Sequence, residues 1–288
     1  MTLLETPLLR DAGIDLSVIG GPMYPCSNPE LVAAVSAAGG IGVIQPVSLT
    51  FVHGWDFREG IRHIRTLTDR PVGMNALIEG SNRSYRRRME EWIDTALEEG
   101  VRFFVTSLGK PRWVVDRVHS MGGVVYHDVT ERKWALKALE SGVDGLIAVN
   151  AEAGGHAGPL SPRALLEEVV DLGLPVVRAG GVGDDDIVLS ERVTGVPVAL
   201  INTPWVHASG TRAGPLARRL LRGRRTKHWM RAFYALRSMW RLRRSYRVES
   251  PSRELWQAGR SVEGVEQVES VADILHRFRA AALNVRSG

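Results

Sequence analysis

The sequence predicts an α/β protein: a TIM-type (β/α)8 barrel, its eighth strand in question, followed by a C-terminal basic helical segment. Three observations lead there. Short apolar runs alternate with longer amphipathic ones from residue 16 to residue 180. No hairpin signal lies between those runs, so the strands are read as parallel. Glycines follow several of the strands, which favours a barrel with functional βα loops over an open sheet.

The elements are read in chain order. Leu16–Ile19 is the first strand. Asn28 to Ala38 is a helix, with Asn28 able to cap it, Pro29 suited to its first turn and Glu30 to its positive end. Ile41–Ile44, Val72–Ala76, Val101–Thr106, Val124–Tyr126, Gly145–Val149 and Pro175–Ala179 are the next six strands. Between them run helices at Phe57–Leu67, Tyr85–Glu98, Pro111–Met121, Glu131–Ser141 and Pro162–Leu172. A helix at Asp186–Arg192 and a strand at Val198–Ile201 would close the barrel. Ser270 caps a closing helix to Asn284, with Val271, Ile274, Leu275 and Phe278 as its apolar stripe. The chain divides into a barrel at 1–205, a basic helical cap at 206–254, and a connection with closing helix at 255–288.

Charge is uneven. Thr211 to Val248 holds thirteen Arg and Lys and no Asp or Glu, leaving 24 basic against 32 acidic residues elsewhere. That segment reads as a helical cap with aromatics inward and arginines solvated. Contact with nucleic acid or an anionic membrane is the competing reading. The lone Cys26 excludes an internal disulfide, which with the charged N-terminus gives a cytoplasmic expectation. No Walker, GxGxxG, CxxC or HExxH spacing is present, so nucleotide and metal sites of those types are not expected.

Five strand-end loops carry unusual residues: Gly20-Gly21-Pro22-Met23, Asn75, Ser107-Leu108-Gly109, Gly154-Gly155-His156 and Gly180-Gly181. A barrel brings such loops to one face. Glycines there free backbone N–H groups for an anion, Asn75 can both donate and accept, and His156 is placed as a base. His127 could face the same site, although a structural hydrogen bond to Asp128 or the backbone is the simpler role. Glu152 reads as a solvent-facing loop carboxylate and Cys26 as inert.

These loops, with Asn28-Pro29-Glu30-Leu31, Ala37 to Gly42 and Ser107-Leu108-Gly109-Lys110-Pro111, resemble the nitronate monooxygenase family. The resemblance is dense over residues 16–183 and resumes at Trp256-Gln257-Ala258-Gly259 and Ser261-Val262-Glu263-Gly264. It implies an FMN barrel. Pro22 and Met23 would line the flavin ring, Asn75 and Ser107 would bind it, Gly154 and Gly155 would approach it, and Gly180 and Gly181 would hold its phosphate. His156 matches the family's proposed base. The implied partners are a nitronate or nitroalkane and O2, the products a carbonyl compound and nitrite. An FMN-dependent enoyl-thioester reductase shares much of this pattern, and a degenerate flavin barrel that only binds is the third reading.

The sequence departs from the family after Gly183. The glycine-threonine-arginine loop that ends the family's eighth strand and completes its phosphate site has no counterpart; the nearest match is Ile201-Asn202-Thr203-Pro204-Trp205. The favoured reading is a deletion of helix 7, strand 8 and the phosphate arginine, which implies weakened FMN binding.

Overall fold

The computed structural model describes residues 5–79, 83–180, 187–190, 198–201 and 267–284. The basic segment, Gly181, Trp205 and Trp256 lie outside the described residues.

Seven parallel strands form one sheet in the order β1-β2-β3-β4-β5-β6-β8. They are β1 (Ile19–Gly20), β2 (Ile41–Ile44), β3 (Val72–Leu77), β4 (Phe103–Ser107), β5 (Val124–Val129), β6 (Gly145–Val149) and β8 (Val176–Ala179). Helices connect them: α2 (Pro29–Ala37), α3 (Phe57–Leu67), α4 (Arg83–Glu98), α5 (Arg112–His119), α6 (Arg132–Glu140) and α7 (Pro162–Val169). The sheet is curled. Ile41 and Val43 of β2 share an inner apolar cluster with Ile147 and Val149 of β6, joined by Val177 and Ala179 of β8. Among the described residues no strand joins β8 to β1, so the barrel is incomplete around its eighth strand.

Strand alternation separates two cores. Val125 and Val129 of β5 pack outward with Phe104, Met74, Leu146 and the helices. Tyr126 points inward with Phe103 and Val105. A helix at the sequence's N-terminal end, α1 (Pro7–Ala12), also contributes Leu8 and Ala12 to this inner cluster. Tyr126 donates its hydroxyl proton to Asp11 at 2.8 Å, tying α1 to the barrel interior. Gly42 lets α2 lie directly on β2, since a Cβ there would sit 2.0 Å from the Val32 carbonyl oxygen.

The region after β8 corrects one expectation. Ile187–Ser190 is a strand, β9, not part of a crossover helix, and Val198–Ile201, β10, pairs antiparallel with it. β10 also pairs antiparallel with β7 (Gly155–His156), so it does not substitute as a parallel eighth strand. The physical reason is local. Ile187-Val188-Leu189 and Val198-Ala199-Leu200-Ile201 are short apolar runs flanking Thr194-Gly195-Val196-Pro197, a hairpin composition.

At the other end α8 (Val271–Asn284) is capped by Ser270, whose hydroxyl accepts from the Asp273 N–H at 3.1 Å. Leu275 packs with Leu16 and Val35, but Phe278, expected in the apolar stripe, is 54% exposed.

Gly42→Ala is expected to cost about 3 kcal/mol, because the new methyl meets helix backbone that cannot rotate away. Equilibrium denaturation checks this.

Candidate functional site

The strands' C-terminal ends converge on the barrel mouth. Inward positions alternate along each strand, and the ladder registers align them. Gly73 faces the interior, where a Cβ would meet Phe103 and Val43, so Asn75 two residues on shares that face. Thr106 stands opposite His127, which puts Ser107 of β4 beside Asp128 of β5 on the face that Tyr126 occupies. Asn75, Ser107 and Asp128 thus form a polar arc on three adjacent strands. Asn75 is only 8% exposed. Among the described residues none of the three side chains has a hydrogen-bond or ion-pair partner. Ser107 and Asp128 are part-exposed, so a ligand can reach the arc and its unspent hydrogen-bonding groups.

The β6 loop closes over one side. Asn150 is 1% exposed and holds it. Its side-chain amide donates to the Ala179 carbonyl at 2.6 Å, and its Oδ1 accepts from the Glu152 N–H at 2.8 Å. Its own carbonyl accepts from the Gly158 N–H at 3.3 Å. Gly180 makes this possible: it has φ +124°, and a Cβ there would lie 2.3 Å from Asn150 Oδ1. Gly155, at φ +74°, turns the chain so that His156 can pair with Val198. The loop then returns to β5, where a Cβ on Gly158 would lie 3.0 Å from Thr130 Cβ.

His156 is open to solvent on one side, yet burial lowers its pKa. Burial favours its neutral form, the form a base needs.

Other expected residues stand as follows. The loop after β1 carries Pro22, and Met23 beside it is 49% exposed. The Met23 N–H donates to Ser27 Oγ at 2.8 Å, which fixes that loop. Gly21 has open space where a Cβ would be. Leu108 after β4 holds φ +60°, a conformation costing about 1 kcal/mol for a residue with a side chain. Gly154 is exposed and Cys26 is free and exposed. Glu152 is not the solvated carboxylate expected: its Oε2 is buried without a hydrogen bond, 3.8 Å from the Arg178 guanidinium. His127 faces away from the mouth among the outward side chains, hydrogen-bonded through Nδ1 to Thr106 Oγ1 at 2.8 Å rather than to Asp128. Asp128 and Asn150 were the residues the sequence reading left out. The signal was present for one of them. In Tyr126-His127-Asp128, consecutive polar residues cannot both face outward on a strand.

The residues present fit a flat, polar-edged cofactor: unspent amide and hydroxyl groups on the arc and open space at Gly21. Among the described residues no cluster of His, Cys, Asp and Glu could hold a metal ion. No described helix is long and apolar enough to cross a membrane.

A parallel β/α barrel with this set of loops at its mouth is the scaffold of a class of flavin-dependent oxidoreductases. Residues 6–225 match the nitronate monooxygenase family, and the chain belongs to it. A dehydrogenase of Rhodococcus jostii (strain RHA1), named for a hydroxy-methyl-oxo-octahydroindene carboxyl-CoA, is 31% identical over 64% of this chain and 50% of its own length. The chain therefore spans about half the length of that relative. A probable nitronate monooxygenase of Staphylococcus aureus (strain Newman) is 26% identical, covering 73% of this chain and 70% of the relative. That alignment runs over 252 residues while using only 73% of a 288-residue chain, so it opens gaps in the chain, as a deletion would. Among solved structures, FabK from Thermotoga maritima superposes with a TM-score of 0.71 at 19% identity, covering 99% of both chains, a likeness of fold.

Burial lowers the His127 pKa to about 4 from 6.5. The folded protein then binds fewer protons than the unfolded chain between those values, so this histidine's contribution lowers stability as pH falls through that window. The expected loss is about 3 kcal/mol. Asp128, raised by burial to about 7 from 3.8, acts in the opposite sense. The His127 contribution is therefore read as the difference between wild type and His127→Gln in thermal melts from pH 7 to pH 4.

Proposed function

We propose that this protein is an FMN-dependent oxidoreductase that converts alkyl nitronates and O2 to a carbonyl compound and nitrite. The observation that carries the reading is the arc of partnerless polar side chains beneath the His156 loop, in a chain of this family. When bound, FMN would supply the redox chemistry.

The protein's own residues bind, orient and move a proton. Asn75 offers both a donor and an acceptor to a ring edge, and Ser107 a hydroxyl. Pro22 and Met23 present an apolar wall from the β1 loop. Gly154, Gly155, Gly180 and Gly181 offer backbone N–H groups, the last two toward phosphate. His156, whose neutral form burial favours, takes the α-proton of a nitroalkane at an imidazole nitrogen. As the cation so formed, it holds the nitronate anion in place. O2 and a small organic anion are the partners this site requires.

A thioester substrate is the second reading. It is favoured by the Rhodococcus jostii relative, whose name specifies a CoA compound. Reduction of bound flavin by an acyl-CoA, or NADH oxidation with an enoyl thioester, would separate it from nitronate chemistry.

With added FMN, the wild type should release nitrite from an alkyl nitronate or nitroalkane. His156→Ala should lower turnover on the nitroalkane about 100-fold or more while FMN still binds. Unchanged turnover would remove His156 from the mechanism.

FMN should also be retained poorly on purification. A phosphate site lacking its arginine forgoes charge-assisted hydrogen bonds of about 1.5–3 kcal/mol each, one to two orders of magnitude in affinity. A stoichiometric flavin spectrum straight after purification would contradict this.

A further inference from the structure

Asp128 has no role in the function proposed above. It lies on β5 beyond Tyr126, on the inward face, next to Ser107 of β4 and opposite Ile147 of β6. Gly158 abuts Thr130 just after β5, so the His156 loop and Asp128 lie at the same end of the sheet. Asp128 is part-exposed, and apart from Ser107 its neighbours on that face are apolar: Ile147 stands opposite it, with Val149 and Val177 in the same inner cluster. No hydrogen bond or ion pair reaches it among the described residues. A carboxylate in such a place is costly unless something offsets it, and a neutral carboxylic acid is both less costly and a hydrogen-bond donor.

We propose that Asp128 is a further cofactor-binding residue of this mouth, which donates a hydrogen bond as a neutral carboxylic acid to a flavin bound across Asn75 and Ser107. This rests on the flavin reading of the site. Burial supports it independently, holding the carboxyl at about 7, so a large share is protonated at neutral pH.

Other charged or titratable groups near the mouth are Glu79 after β3, Lys110 after β4, Glu152 and His156 on the β6 loop, and Arg178 on β8. His127 is on β5 but faces outward. Desolvation is the sole cause of the Asp128 shift, so none of these groups sets its protonation. Burial lowers the His156 pKa, and its titration is common to wild type and Asp128→Asn.

The test is FMN affinity by fluorescence quenching between about pH 6.5 and pH 8.5, on the full chain, for wild type and Asp128→Asn. Asparagine keeps the shape and the donor but cannot ionise. Wild-type affinity should fall about tenfold across the range, one pKa unit of coupling. Asp128→Asn should bind at least as tightly as wild type does at the acid end, and should show no such fall. The FMN phosphate titrates near the acid end, with a second pKa of about 6, and does so equally for both proteins. A wild-type affinity independent of pH, or an equal fall in Asp128→Asn, overturns the Asp128 assignment while leaving the flavin site intact. No FMN binding by wild type at any pH instead removes the flavin reading itself.

Discussion

The site depends on one contact, the seating of Asn150 against Gly180. Asn150 ends β6, and Gly180 follows β8. The asparagine side chain bridges the Ala179 carbonyl and the Glu152 N–H, and so locks the start of the histidine loop to the neighbouring strand. It fits because residue 180 has no side chain and adopts a left-handed backbone. The glycine read from sequence as a phosphate contact has a structural duty: it makes room for Asn150. A buried amide with its bonds made is a rigid anchor for the loop that carries His156.

Around that anchor the barrel mouth shows a deliberate contrast. Outward polar groups are satisfied: His127 and Thr106 bond to each other. Inward ones on the same strands, Asn75, Ser107 and Asp128, are not, among the described residues. A packed core would not leave such groups on one face and pair their neighbours on the other unless the inner face served a ligand.

Much of the fold was legible in the sequence. The seven strands and the helices from α2 to α7 follow from alternating apolar runs and from caps such as Asn28, which accepts the Leu31 N–H at 2.8 Å. The helix at Phe57–Leu67 has the bounds its periodicity gives. The segment after Gly183 differs from expectation because a short apolar run, Ile187-Val188-Leu189, suits a helix or a strand equally, and only pairing decides. Its partner, Val198–Ile201, comes later in the chain and is itself bonded to Gly155–His156. The loop glycines and His156 stood out as candidates because turn residues at strand ends have a local cause. Asp128 and Asn150 did not, because their importance lies in which face and which neighbour they meet.

The sequence by itself determined the parallel α/β architecture, the family and the set of loops at one end of the strands, since periodicity, caps and glycine turns are local properties. Only the tertiary structure decided that His127 turns outward while Asp128 turns inward. It also decided that Glu152 buries an oxygen near Arg178, and that β10 bonds to the histidine loop instead of completing the barrel. Those outcomes depend on strand register and on contacts between residues far apart in the chain, and no local pattern encodes them.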